Sequence, residues 1–257
     1  MELSNLTIAF LLATFAGLST VIGGLVVFYK KSKSDTFLGL STAFAIGVMV
    51  CVSVVEMIPH SYETLGEHYG NTTGILLTVA LLLGGMAFVA LIERLVPSKE
   101  KKEAGKGKKP LFRSGLLVAL AIAVHNFPEG IATFVGSLTD IEVGVMIAIA
   151  IAIHNIPEGI AIASPIYRAT GSKGKAIGMT FLSGITEPIG ALFAFLLLGE
   201  AASPLFFGYI MSFIAGIMIY ISFWNLMPIA LEYGKSKHMV IGSAAGLAVM
   251  GISLFLE

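Results

Sequence analysis

Two near-identical hexapeptides carry the residues best able to do chemistry: His125-Asn126-Phe127-Pro128-Glu129-Gly130 and His154-Asn155-Ile156-Pro157-Glu158-Gly159. On a helix, His125 and Glu129 stand four residues apart and share a face, as do His154 and Glu158, while Asn126 and Asn155 precede the same glutamates by three. Each segment therefore presents an imidazole nitrogen together with carboxylate and amide oxygens. Pro128 and Pro157 have no backbone N–H to donate, and they displace the carbonyls of Val124 and Ile153 from their helical bonds, which exposes further oxygen donors. Downstream, Thr186-Glu187-Pro188 again sets a carboxylate beside a helix-breaking proline.

All three motifs lie in apolar stretches, where an ionisable side chain costs about 2.5–3.5 kcal/mol on insertion scales. No Lys or Arg shares those stretches with Glu129, Glu158 or Glu187. Protons or metal cations must then supply the compensating charge. Two neutral imidazoles with two carboxylates form a four-ligand set suited to zinc, and also to iron(II), manganese or cobalt, whereas the lack of thiolates disfavours copper(I). Asn126, Asn155 and Glu187 are candidates for a second, oxygen-rich site bridged by Glu129 and Glu158. A lone intramembrane His or Asn ordinarily serves interhelical hydrogen bonding, but a duplicated set of ionisable groups exceeds that role.

The elements that must position these residues follow from composition. Of 257 residues, 56% are hydrophobic and 12% charged, against about 25% charged in a soluble domain. Mean hydropathy is +0.90 over the whole length, so the expected class is an all-α polytopic membrane protein. Net charge of zero and a pI near 7.0 argue against a nucleic-acid partner, and the single cysteine, Cys51, has no disulfide partner. Apolar runs long enough to cross about 30 Å of hydrocarbon are predicted near 5–28, 37–58, 72–93, 114–135, 143–164, 176–198, 204–226 and 238–256. They are continuous where barrel strands would alternate over about ten residues. Met1-Glu2 supplies no positive region ahead of the first run, so that run reads as a span and not as a secretory signal.

All sixteen Lys and Arg fall in alternate connections: Lys30, Lys31 and Lys33; Arg94 through Arg113; Arg168, Lys173 and Lys175; Lys235 and Lys237. The positive-inside rule makes these connections cytoplasmic and both termini external. The longest, at about 96–113, contains the polar run from Pro97 to Pro110 and is expected to be a flexible cytoplasmic loop within a single transmembrane domain spanning 1–257. The two hexapeptides lie 29 residues apart in consecutive spans and so run through the bilayer in opposite directions. An inverted pair of this kind converges near the midplane, where inverted-repeat transporters bind substrate.

With these motifs, the third glutamate of Ser183-Gly184-Ile185-Thr186-Glu187-Pro188, eight spans and a long loop between spans three and four, the sequence resembles the ZIP (Zrt/Irt-like) metal transporters, and most nearly their bacterial ZupT branch. The resemblance covers essentially the whole chain. It implies a 3+2+3 arrangement, with spans one to three and six to eight as inverted repeats around spans four and five. It implies a binuclear site with one metal on His125, Glu129, His154 and Glu158 and the other on Asn126, Asn155 and Glu187, the motif glutamates being shared. It further implies uptake of divalent metal ions, zinc foremost, into the cytoplasm across the cell (plasma) membrane. The metal is substrate, no cofactor is expected, and the lipid bilayer is the surrounding partner, with a homodimer left open. The family's long loop is often histidine-rich; this one contains no histidine, which puts a metal-sensing role for it in doubt.

Weaker features remain. Glu56-Met57-Ile58-Pro59 and Asn225-Leu226-Met227-Pro228 look like counterparts across the inverted repeat, and Glu56 is a candidate pathway residue or an interfacial carboxylate. His60, Glu63, Glu67 and His68 are expected in an external connection, as cation-attracting groups or as a plain solvated loop. Cys51, Trp224 and the methionines read as packing and interfacial residues. A membrane metalloenzyme is the chief rival, yet neither the zincin nor the di-iron spacing is present. A passive channel would use the same ligands.

Overall fold

In a bilayer, a span must satisfy every backbone N–H and C=O within itself, and the apolar runs do so as helices. The computed structural model describes residues 3–95, 111–196 and 204–256, and among them there is no strand. Among the described residues eight helices are long and apolar enough to cross a membrane: α1 Asn5–Phe28, α2 Asp35–Tyr69, α3 Asn71–Leu95, α4 Leu111–Thr139, α5 Ile141–Thr170, α6 Lys173–Leu196, α7 Pro204–Tyr233 and α8 Ser236–Phe255. The chain is a multi-pass membrane protein. Residues 96–110 of the expected loop lie outside the described residues, whereas 111–113, also expected in it, form the first turn of α4.

Two spans run further than hydropathy indicates. The helix that begins at Asp35 continues to Tyr69, so His60, Glu63, Glu67 and His68 are not in a loop but on the last three turns of α2. Similarly, α7 continues to Tyr233. In both, a π-helical turn precedes the proline: Ser53–Met57 ahead of Pro59 and Ile221–Leu226 ahead of Pro228. There the N–H groups of Ile58 and Met227 reach back five residues to the carbonyls of Ser53 and Ser222. Such widened turns take a proline without ending the helix, and they are frequent at functional positions.

Turn chemistry joins the helices tightly. Ser34, Asp140 and Ser172 cap α2, α5 and α6, accepting from the N–H groups of Phe37, Glu142 and Lys175 at 3.2, 2.8 and 3.3 Å. Gly171 ends α5 in the left-handed region at φ +67°, where a Cβ would be strained.

At the centre α4 packs on α5, with α1 laid mainly along α5 and the second half of α6 along α4. The outer helices pair across the chain's two halves: α2 packs chiefly on α8, and α3 on α7. Serines tie several crossings, Ser61 to the Gly208 carbonyl at 2.6 Å, Ser212 to Thr78 at 2.7 Å and Ser183 to Ala119 at 3.1 Å, bonds worth about 0.6 kcal/mol each inside a membrane. α3 and α8 keep most of their surface outward, with Leu76, Leu83, Val240 and Ile252 exposed, as lipid-facing helices do. At one end of the bundle Arg168 meets Asp35 at 2.6 Å and Lys33 lies over the Tyr167 ring, so the α1–α2 and α5–α6 connections, both basic, sit side by side.

Candidate metal centre

The hexapeptides occupy the middle of α4 and α5, and neither proline ends its helix. What brings the two motifs and their neighbours together is the glycine that closes each. A Cβ on Gly130 would press into the carbonyl of Glu187 on α6, and a Cβ on Gly159 into the carbonyl of Thr20 on α1. The reciprocal contacts are equally close, Gly190 of α6 against the Phe127 carbonyl and Gly23 of α1 against that of Ile156. Only hydrogen on these α-carbons lets four backbones approach so nearly.

All seven residues singled out from the sequence are buried: Asn126, Asn155 and Glu187 at 0%, Glu158 at 1%, His125 and His154 at 2%, and Glu129 at 8% relative exposure. Glu129 is the hub. Its Oε1 lies 2.8 Å from His154 Nε2 and 3.0 Å from His125 Nε2, so both imidazoles point their outer nitrogen at one carboxylate oxygen. The His154 contact has hydrogen-bond geometry; the His125 nitrogen is close to the oxygen without being aligned for one. Glu158 Oε1 stands 3.9 Å from His125 Nε2. Ligands at about 2.0–2.1 Å around a tetrahedral zinc are separated by about 3.3 Å, which the observed 2.8–3.9 Å brackets. Ligand atoms of His125, Glu129 and His154 all fall within 4.8 Å of one another. Sub-ångström adjustment would admit an ion among them.

The amide pair behaves unequally. Asn155 donates to the Ala16 carbonyl at 3.0 Å and makes a short hydrogen bond to Glu187 Oε1, which draws the third carboxylate toward α5. Asn126 finds no partner among the described residues for either amide atom. The close contacts supply the reason, since α6 offers Glu187 where α1 offers Thr20 at the matching crossing; Thr20, itself with an unpaired buried hydroxyl, is the shorter side chain. Beside the proline read as helix-breaking, α6 is indeed interrupted, at Ile185, and Glu187 stands in the first turn of the segment Thr186–Leu196, where a helix N-terminus favours an anion. Each of the seven residues retains at least one buried polar atom unsatisfied by the protein. Groups that cost about 1–3 kcal/mol apiece when left unpaired are thus concentrated at one place.

Sequence reasoning missed the Ala16 carbonyl and the contacts of Gly17, Gly23, Gly184 and Gly190. The one signal available was the small-residue content of α1 and α6, which marks close packing without saying against what.

A family model described as ZIP Zinc transporter matches residues 4–111 and 98–254. The chain is 45% identical to the zinc transporter ZupT of Streptococcus mutans over 259 residues, covering 98% of each. It is likewise 45% identical over 264 residues to the protein of that name from Lysinibacillus sphaericus and 43% over 263 residues to that from Chlorobium chlorochromatii, again covering 98% of both chains. With a family model matched from α1 to α8 and relatives of this identity along their whole length, the chain belongs to the ZIP family of zinc transporters.

Proposed function

We propose that the chain carries divalent transition-metal cations, zinc foremost and iron(II), manganese and cobalt with it, across the cell membrane into the cytoplasm. The observation that carries this reading is the convergence of both imidazoles on Glu129 Oε1 between two long membrane-spanning helices. His125, Glu129, His154 and Glu158 hold the first ion. Glu187, Asn155 and Asn126 hold the second, with the motif glutamates between them. The zinc named in its relatives fits the nitrogen and carboxylate donors, and the absence of sulfur ligands suits the other three metals as well. Because one chain supplies all seven residues, each subunit of a homodimer would contain its own pathway.

The paired contacts of Gly130 with Glu187 and Gly159 with Thr20, the exchanged partners α2–α8 and α3–α7, and the π-turns of α2 and α7 support an inverted repeat around α4 and α5. Such a repeat provides two alternative packings, the basis of alternating access.

Metal flux into proteoliposomes of the purified protein, with competing divalent ions, tests the function. Saturable zinc uptake is expected; no uptake above that of empty vesicles would overturn it. Metal stoichiometry tests the site: Glu187→Ala should lower the bound count from two ions to one while the His125, Glu129, His154 and Glu158 set still holds a single ion, and two ions retained would remove Glu187 from the second site. The Lys and Arg distribution supports external termini and a cytoplasmic segment 96–113. In a Cys51→Ser background, a membrane-impermeant maleimide applied to intact cells should label Glu142→Cys and spare Lys173→Cys; the reverse pattern would invert the topology.

A further inference from the structure

We propose that Glu56 and His60 form a separate cation-capture site, through which divalent metal ions reach the buried centre from the outer end of α2. The inference rests on the uptake reading and adds to it a site outside the seven residues. Glu56 and His60, four residues apart on α2, line one cavity of about 360 Å³ closed by Ala132 of α4 and by Pro204 and Phe207 of α7. Their neighbours around that cavity are otherwise aliphatic, aromatic or thioether side chains, so these two alone offer nitrogen and carboxylate donors within it.

Through α4 the cavity adjoins the stretch that carries the centre. Ala132 lies three residues beyond Glu129 on α4, hence one helical turn away on the same side, and Glu129 is the most exposed of the seven site residues. The Glu56 carboxylate is also within electrostatic reach of His125. Outward, a second cavity of about 310 Å³, lined by Thr64, Glu67 and His68, meets the first at Pro204. Glu56, His60, Glu67 and His68 thus set metal-ligating groups at both cavities along α2, with Thr64 on the turn between them.

Geometry also sets the affinity. A single imidazole and a single carboxylate leave the remaining coordination positions of zinc to water, so the ion is held weakly and exchanges quickly. His60 is exposed and Glu56 half-buried, which lets the ion exchange its hydration shell for protein ligands in two stages. The π-turn that contains Glu56 sets its angular position relative to His60.

Two measurements on the full-length protein test the site. In zinc uptake by proteoliposomes, Glu56→Gln and His60→Ala should each raise KM about tenfold, with maximal rate within about twofold, as expected for removal of a binding step before the rate-limiting one. His60→Cys, which restores a zinc ligand, should recover most of the loss in KM. In equilibrium zinc binding to detergent-solubilised protein whose central site is removed by Glu129→Ala and Glu158→Ala, a weak site should remain, and adding Glu56→Gln with His60→Ala should abolish it. Unchanged KM together with weak binding indifferent to Glu56 and His60 overturns the capture site, as does a raised KM that His60→Cys fails to recover. Should the wild-type protein pass no metal, the uptake reading fails, and the binding measurement alone decides the capture site.

Discussion

Replacing Glu129 by alanine should lower zinc uptake by at least about a hundredfold, the upper range for lost second-shell support of a metal, because the carboxylate that goes is itself the hub. Both imidazoles approach the same oxygen of this residue, so its removal separates His125 from His154 and leaves Glu158, 3.9 Å from His125, as the only anion of the first site. The variant should nonetheless insert and fold. Glu129 has no Lys or Arg partner within the spans, its close neighbours being the two imidazoles, and deleting a buried anion relieves its desolvation cost. Expression, thermal melting in detergent and zinc flux, measured together, check this. A folded Glu129→Ala protein with wild-type flux would take the residue out of the mechanism.

A substitution adding one methyl group should be nearly as damaging. Gly130→Ala and Gly159→Ala place a Cβ against the backbone carbonyls of Glu187 and Thr20, and a backbone atom cannot rotate aside as a side chain can. The helices must part. Overpacking of this kind costs about 1–3 kcal/mol, and displacing ligands by about 1 Å can reduce turnover a hundredfold. Both variants should therefore melt lower than wild type and lose at least about tenfold in flux. Gly178→Ala, on α6 with nothing within 4 Å of the added carbon, should leave flux unchanged and gain up to about 1 kcal/mol of helix stability. Equal behaviour of the three would show that the crossings tolerate widening.

The span count and the clustering of buried ionisable groups were legible because each leaves a local trace. Twenty apolar residues mark a crossing, and His125, Glu129, His154 and Glu158 stand out because ionisable groups are costly there. The outer turns of α2 left no such trace: Ile58–Tyr69 is polar on one side and reads as a connection, although it continues the helix. The break at Ile185 is flanked by a proline of the kind that α4 and α5 accommodate without interruption, so sequence alone does not tell the cases apart. Asn126 and Asn155 sit in matching hexapeptides, yet one is unpaired and the other binds Glu187. That difference belongs to α1 and α6, which are distant in sequence. Helix pairing was illegible for the same reason, since small residues permit contact without specifying a partner.

The exchanged outer pairs bear on how the protein is made. α2 is the most buried span and leans mainly on α8, the last of the eight to leave the ribosome, while α3 waits for α7. Neither half of the chain can complete its packing while it alone has been synthesised. The early helices must pass into the lipid as loosely associated single crossings, with the surfaces of α2 that will later be hidden facing acyl chains. Consolidation is then a late event, set by arrival of α8, and a nascent chain stalled before it would remain inserted but unassembled.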